Sequence, residues 1–256
     1  LAYADLTNTD LSNTNMYNSN LDNTIFDESK FFNTKIDGKN LLKIKQLDID
    51  ISGTYVPDSN TFITTLDSNS ENIKKLFKKS NSPNEDFSNL SIIGINLDEA
   101  NFTGSNFFNS KFPNSKFSET NFSYTNFTDI DLSNSDLLGV NFTGSNLLGV
   151  NFTGSNLSGA NFNGAYIQNS DFSNTKIFGT KFLGTTIINT SFNNSEINSG
   201  NFMGSMLTKF SLFNSSIKNT DFSGASFSGI NLSNFDLSGN KFRNAILNNM
   251  NFSYSN

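Results

Sequence analysis

One large apolar residue recurs every fifth position through most of this chain, with small or polar residues between. In VNFTGSNLLGVNFTGSNLSGANF (residues 140–162) the positions are Phe142, Leu147, Phe152, Leu157 and Phe162. From Phe87 to Phe252, all 34 positions in steps of five are Phe, Leu or Ile, so the pattern is not a local accident. An α-helix turns 100° per residue, so a five-residue step smears these side chains around its cylinder. A straight strand sends successive odd steps to opposite faces. Neither element buries this pattern. A chain that corners once per five residues, always the same way, points every one of these side chains inward.

A second column supplies the corner. Two residues after the central position stands Gly at 14 of the 34 repeats (Gly144, Gly154, Gly164) and Asn at 13 (Asn109, Asn174, Asn214). Both tolerate the positive φ that the third residue of a type II turn requires. Pro113, just before Asn114, occupies the position where that turn favours proline. A third column, two residues before the centre, is Ala, Ser, Thr or Gly at 24 of the 32 positions from Ala100 to Ser255, which lets successive turns of chain stack closely.

Phrases such as Ser145-Asn-Leu-Leu-Gly149 and Ala160-Asn-Phe-Asn-Gly164 resemble the pentapeptide-repeat family, and the likeness covers about four fifths of the chain. That resemblance implies an all-β solenoid: a right-handed quadrilateral β-helix with four pentapeptides per coil. Thirty-four repeats then make about 8.5 coils, roughly 40 Å at a strand spacing of ~4.8 Å. On four sides, the alternation from Phe142 to Ile187 puts Phe on two opposite walls and Leu or Ile on the other two.

Three segments are expected. Residues 1–41 repeat the pattern in another register, from Leu1 and Leu6 to Ile36 and Leu41, as N-terminal coils. Residues 42–86 lose the phase and read as an insertion bulging from one continuous rod, the other reading being a break that separates two rods. There Leu47, Ile49 and Ile51 alternate like a strand, Gly53 to Asn60 reads as loop, and Ser70 caps a short helix with Ile73, Leu76 and Phe77 on one face and Lys74, Lys75, Lys78 and Lys79 around it. Residues 87–256 form the main β-helix.

Composition narrows the chemistry. The 256 residues hold no Cys, His or Trp, removing thiolate nucleophiles, the commonest general base and the commonest metal ligand. No cofactor or metal is expected, and the chain is read as non-enzymatic. The net charge of −6 divides as −3 over residues 1–41, −1 over 42–86 and −2 over 87–256, with no basic patch for direct nucleic-acid binding. No run reaches the length of a membrane span, and the lack of cysteine fits a reducing, cytoplasmic compartment.

Candidate sites are few. The stretch DIDISG (Asp48 to Gly53) matches half of a calcium loop, but Ser59 stands where the bidentate Glu belongs, so turn chemistry is the better reading. Asp129, Asp131 and Asp136 cluster near two corners, where the simpler reading is solvated repeat positions on a rod with no pocket to desolvate substrate. Asn101, Asn121, Asn141, Asn161 and Asn201 share a wall at twenty-residue intervals and read as a stacking amide ladder rather than a ligand array such as an ice-binding one. With four repeats per coil, Phe108, Leu148, Tyr166, Ile188, Met206 and Ile246 project from a single wall, and aligned apolar residues facing solvent mark a protein-contact surface.

The expected function is a β-helical scaffold presenting its walls and inserted loop to a protein partner. The other reading is a DNA-mimicking binder of a type II topoisomerase (gyrase), similar to the quinolone-resistance pentapeptide-repeat proteins. Those resemble a duplex in shape and negative charge. Both ends of the sequence stop within the repeat, and exposed strand edges there invite end-to-end pairing into a homo-oligomer.

Overall fold

The five-residue corner is present at repeat after repeat. Positive φ recurs at the third residue of the turns, from Tyr3 (61°) to Tyr254 (61°), while the residue before it keeps negative φ. In many turns the N–H three residues after the centre donates to the central carbonyl, as Ser105 to Phe102 (3.1 Å), which together define type II geometry. The fold imposes this conformation even on Glu99, Glu119, Tyr124, Asp129, Ser199 and Lys209, which are neither Gly nor Asn. The computed structural model describes residues 1–32, 34–37, 40, 41, 44, 55, 56, 61, 62, 81–84, 87, 88 and 93–256.

Four corners close a coil. Residues pair in parallel at intervals of twenty, from Asn81 with Asn101 to Asn231 with Asn251, and likewise Asp5 with Ile25 in the N-terminal block. The solenoid is therefore all-β and four-sided. Its walls are labelled here A to D by their central residues: A carries Phe102 and Phe122, B Phe107 and Phe127, C Phe112 and Leu132, D Phe117 and Leu137. Short strands lie along two walls. On wall B, β3 (Asn146–Leu148), β4 (Tyr166–Gln168), β6 (Thr186–Ile188), β8 (Met206–Thr208), β10 (Ser226–Ser228) and β11 (Ile246–Asn248) form one parallel sheet in the order β3-β4-β6-β8-β10-β11. On wall D, β5 (Lys176–Phe178), β7 (Glu196–Asn198) and β9 (Ser216–Lys218) form a second. β4, β5, β6, β7 and β9 are centred on Ile, whose branched Cβ favours extended backbone.

The interior is filled. From Phe102 to Leu232 every central side chain is buried. On wall A an unbroken column of rings runs Phe102, Phe122, Phe142, Phe162, Phe182, Phe202, Phe222, Phe242, with centroids 4.4–5.7 Å apart and near-parallel planes. Opposite, Phe172 stacks on Phe192 at 4.7 Å and lies tilted against Phe152 at 4.6 Å. Phe and Leu or Ile thus occupy alternate walls through this middle stretch. Earlier coils depart from that rule, because Phe102, Phe107, Phe112 and Phe117 place rings on all four walls, in edge contact at 5.4–6.2 Å.

The small column has a second role. At many of its Ser and Thr positions the hydroxyl turns inward and donates to the central carbonyl one coil back, as Thr120 to Leu97 (2.7 Å), Ser145 to Phe122 (2.6 Å) and Thr180 to Leu157 (2.7 Å), whereas Thr175 and Ser205 donate to Phe172 and Phe202 of their own turn. Buried carbonyls at the corners thereby gain partners that the strand ladder does not supply.

Within residues 42–86, β1 (Tyr55–Val56) and β2 (Thr61–Phe62) pair antiparallel. The segment read as loop, Gly53 to Asn60, therefore contains a strand. The expected strand at Leu47, Ile49 and Ile51, the loop DIDISG with Ser59, and the lysine-rich helix after Ser70 lie outside the described residues. Among the described residues no helix is long and apolar enough to cross a membrane.

Candidate functional site

Wall B gathers the six apolar candidates. Each lies one residue from a repeat centre, buried in every case but Leu247 beside Ile246, and the alternation of extended chain turns it outward. Tyr166, Met206 and Ile246 share one register column, through Tyr166↔Thr186↔Met206↔Ser226↔Ile246. Leu148 and Ile188 share the other, through Leu148↔Gln168↔Ile188. Phe108 lies further along the same wall. Phe108, Tyr166, Met206 and Ile246 are 41–54% exposed, whereas Leu148 and Ile188 are half-buried. The Tyr166 hydroxyl donates to Gln168 Oε1, laying the ring along the sheet.

Between its corners, wall B carries no charged side chain from Asn106 to Asn248; its outward residues are Asn, Phe, Thr, Leu, Tyr, Gln, Ile, Met and Ser. Each other wall is charged: Lys181, Asp221, Lys241 and Arg243 on A; Lys111, Asp131 and Asp171 on C; Lys116, Asp136, Lys176, Glu196, Lys218 and Asp236 on D. This property was readable in the sequence once residues were sorted at a period of twenty, but counting charge per segment hid it.

The remaining candidates take structural roles. Asp131 Oδ1 accepts the Ser133 N–H (2.9 Å) and the Asn151 side-chain amide (3.1 Å), and Asp136 Oδ1 accepts the Leu138 N–H (3.3 Å) and the Asn156 amide (3.2 Å). These carboxylates belong to the turn-and-ladder scheme that Asn follows elsewhere. Asp129 sits at a corner with φ 58°, its carboxylate over Gly149. The amide ladder on wall A is bonded from Asn81 through Asn101 and Asn121 to Asn141 (2.8–3.3 Å). Asn161 instead pairs in register with Lys181, which itself pairs with Asn201, so lysine separates the last two asparagines.

Hydrogen bonds set the electrostatics of the carboxylates just before the turns. Asp5, Asp10, Asp221 and Asp236 are each held below the usual carboxylate range, chiefly by the hydroxyl and N–H of the Thr or Ser two residues on. For Asp221 the Lys241 ammonium, 3.6 Å away, adds to this.

The family model for the pentapeptide repeat region matches residues 85–162 and 125–202, and that for pentapeptide repeats in eight copies matches residues 1–38 and 215–256. No curated protein matches the chain in sequence. Among solved structures it is similar to HetL, a pentapeptide repeat protein involved in heterocyst differentiation regulation from the cyanobacterium Nostoc sp. strain PCC 7120: 20% identity, 68% of this chain and 88% of that one covered, TM-score 0.44. It is also similar to full-length QnrB1, a plasmid-mediated fluoroquinolone resistance protein (17% identity, 66% and 93% covered, TM-score 0.34). A further likeness is to Rfr23 from the cyanobacterium Cyanothece 51142 (27% identity, 41% and 81% covered, TM-score 0.21).

Proposed function

This chain belongs to the pentapeptide-repeat family, and from that premise we propose that it is a non-enzymatic scaffold binding a partner protein through wall B. One observation carries the reading: a regular sheet with no charged side chain between its corners presents Phe108, Leu148, Tyr166, Ile188, Met206 and Ile246 along one side of the rod. Interface cores are depleted of charge and enriched in aromatic residues and Met, whereas solvated faces are not. The interior supports the same reading, since its central side chains from Phe102 to Leu232 are buried and occupy the axis of the rod.

A duplex mimic directed at a type II topoisomerase draws on rod shape alone. Acidic character would have to come from the walls, yet the repeats after residue 86 sum to −2 and wall B carries none of it. Photo-crosslinking tests the wall B assignment. A benzophenone side chain at Tyr166 or Met206 is expected to capture one partner in cells, and the same group at Asn141 on wall A is not. Equal capture from both walls rules the assignment out. In a gyrase supercoiling assay, addition of the protein is expected to leave both supercoiling and its inhibition by ciprofloxacin unchanged.

A further inference from the structure

The solenoid is split open on walls C and D between the coil of Phe210–Asn219 and the coil of Gly229–Gly239. One coil earlier the rungs on these walls are complete: Phe192 N–H to Ser211 O (2.8 Å), Asn194 to Phe213 (2.9 Å), Ser211 to Thr190 (3.0 Å), Ser216 to Ser195 (3.1 Å) and Ser199 to Lys218 (3.0 Å). The matching bonds one coil on are missing. Leu212, Asn214, Ile217 and Asn219 donate to no carbonyl of the next coil, and Asn231 and Asp236 to none of the previous one. The wall D sheet accordingly stops at β9. Walls A and B stay joined across the same two coils, through Asn201↔Asp221 and Met206↔Ser226.

The sequence explains the split. Phe210 and Phe235 occupy the inward column that is small at most repeats. Phe210 is 8% exposed, its ring edge-on to Phe192 at 5.8 Å, and Phe235 packs partly buried against the core. A phenyl ring does not fit between chains stacked at ~4.8 Å, so two rings at successive corners hold the coils apart. Asn240 marks where the split closes. Its longer side chain spans the corner, donating to Ile217 O (3.0 Å) and Leu237 O (2.9 Å) and accepting the Thr220 N–H (2.8 Å). The resulting cleft has a volume of about 1010 Å³, and at its lip Phe213 is 76% exposed.

We propose that this cleft is an acceptor slot for one extended segment of a partner protein, which lies between the two coils and completes the rungs on both edges. Main chain is the ligand class that fits, because the open donors and acceptors recur at strand spacing along two walls and around one corner. Phe210 and Phe235 already fill the inward side, so inward residues of the segment must be small, while Phe213 offers an apolar contact outside. The slot goes beyond the wall B reading and uses other walls, so either can fail alone.

The test uses the full chain and a fluorescein-labelled peptide, Ser-Asn-Ala-Thr-Gly-Ser-Asn-Ala-Ser-Gly, read by fluorescence polarisation. Saturable binding is expected. It should weaken at least ~tenfold when alternate peptide nitrogens are methylated, and equally in the F210S/F235S variant, where small inward residues let the coils close. Hydrogen exchange checks that this variant is folded: the amides of Leu212, Asn214, Ile217, Asn231 and Asp236 should become slower to exchange than in the parent. Binding should be unchanged in Y166S/M206S, which alters wall B alone. Absence of saturable binding, or binding indifferent to methylation and to closure of the cleft, overturns the proposal.

Discussion

At the scale of single residues, the corner decides what is tolerated. Gly144 has φ 66°, and a Cβ there would stand 2.7 Å from the Tyr124 ring of the previous coil, whereas a Cβ on Gly164 would meet nothing within 4 Å. Gly164→Ala should therefore cost only the left-handed backbone, about 1–2 kcal/mol. Gly144→Ala should cost more, up to about 3 kcal/mol, unless Tyr124 swings away, and urea unfolding of the two variants compares them. The sequence showed that corners want Gly or Asn. It did not show why one coil has Glu119, Tyr124, Asp129 and Asn134 and the next Gly139, Gly144, Gly149 and Gly154. That choice depends on side chains lying over the neighbouring coil, twenty residues away. The inward hydroxyls were equally hidden, since Ser and Thr read simply as small. Thr180→Val keeps the shape and removes the bond to Leu157 O, for an expected loss of about 1 kcal/mol in the same assay.

Asp221 carries a prediction in pH. Its carboxyl is held below its unfolded range, first by Ser223 and then by Lys241, so the stabilisation is fully present above about pH 4 and is lost as pH falls through the lowered folded value. In Asp221→Asn the side-chain oxygen still accepts the Ser223 N–H but no longer titrates. Melting curves between about pH 7 and about pH 2 should show a shallower acid decline for this variant than for the parent.

At the scale of elements, the walls differ by what they bury and what they present. Phe162 lies between Phe142 and Phe182, each 4.9 Å away, so Phe162→Ala should cost about 3–5 kcal/mol. Ile187→Val on wall B, which trims one methylene from a strand centre, should cost about 0.5–1.5 kcal/mol. Denaturant midpoints at constant m-value report both. The alternation of Phe with Leu or Ile was legible between Phe142 and Phe202 because strict period-five spacing fixes the wall of every residue. That Leu148, Tyr166, Ile188, Met206 and Ile246 share one wall was legible for the same reason. The split on walls C and D was not. Phe210 and Phe235 were simply exceptions in a column where Ile130, Val140 and Val150 are also large yet leave the ladder closed, and only packing separates a tolerated branched residue from a ring that forces coils apart.

At the scale of the molecule, a solenoid whose coils touch only their neighbours adds stability coil by coil and offers long flat walls. Three walls here are charged and one is not, and two are interrupted where the other two run on. A contact surface and an acceptor slot on different sides would let one rod hold two partners at once. Both depend on twenty residues making one coil. The chain has no cysteine, so cysteine pairs test this without background. In the parallel sheet Tyr166 lies opposite Thr186, at a strand spacing within the 4.4–6.8 Å that a disulfide spans. Under mild oxidation Y166C/T186C should form an intramolecular disulfide, and Y166C/K181C, placed on adjacent walls, should stay reduced. Closure of the second pair and not the first would contradict the four-sided coil and the contact wall built on it.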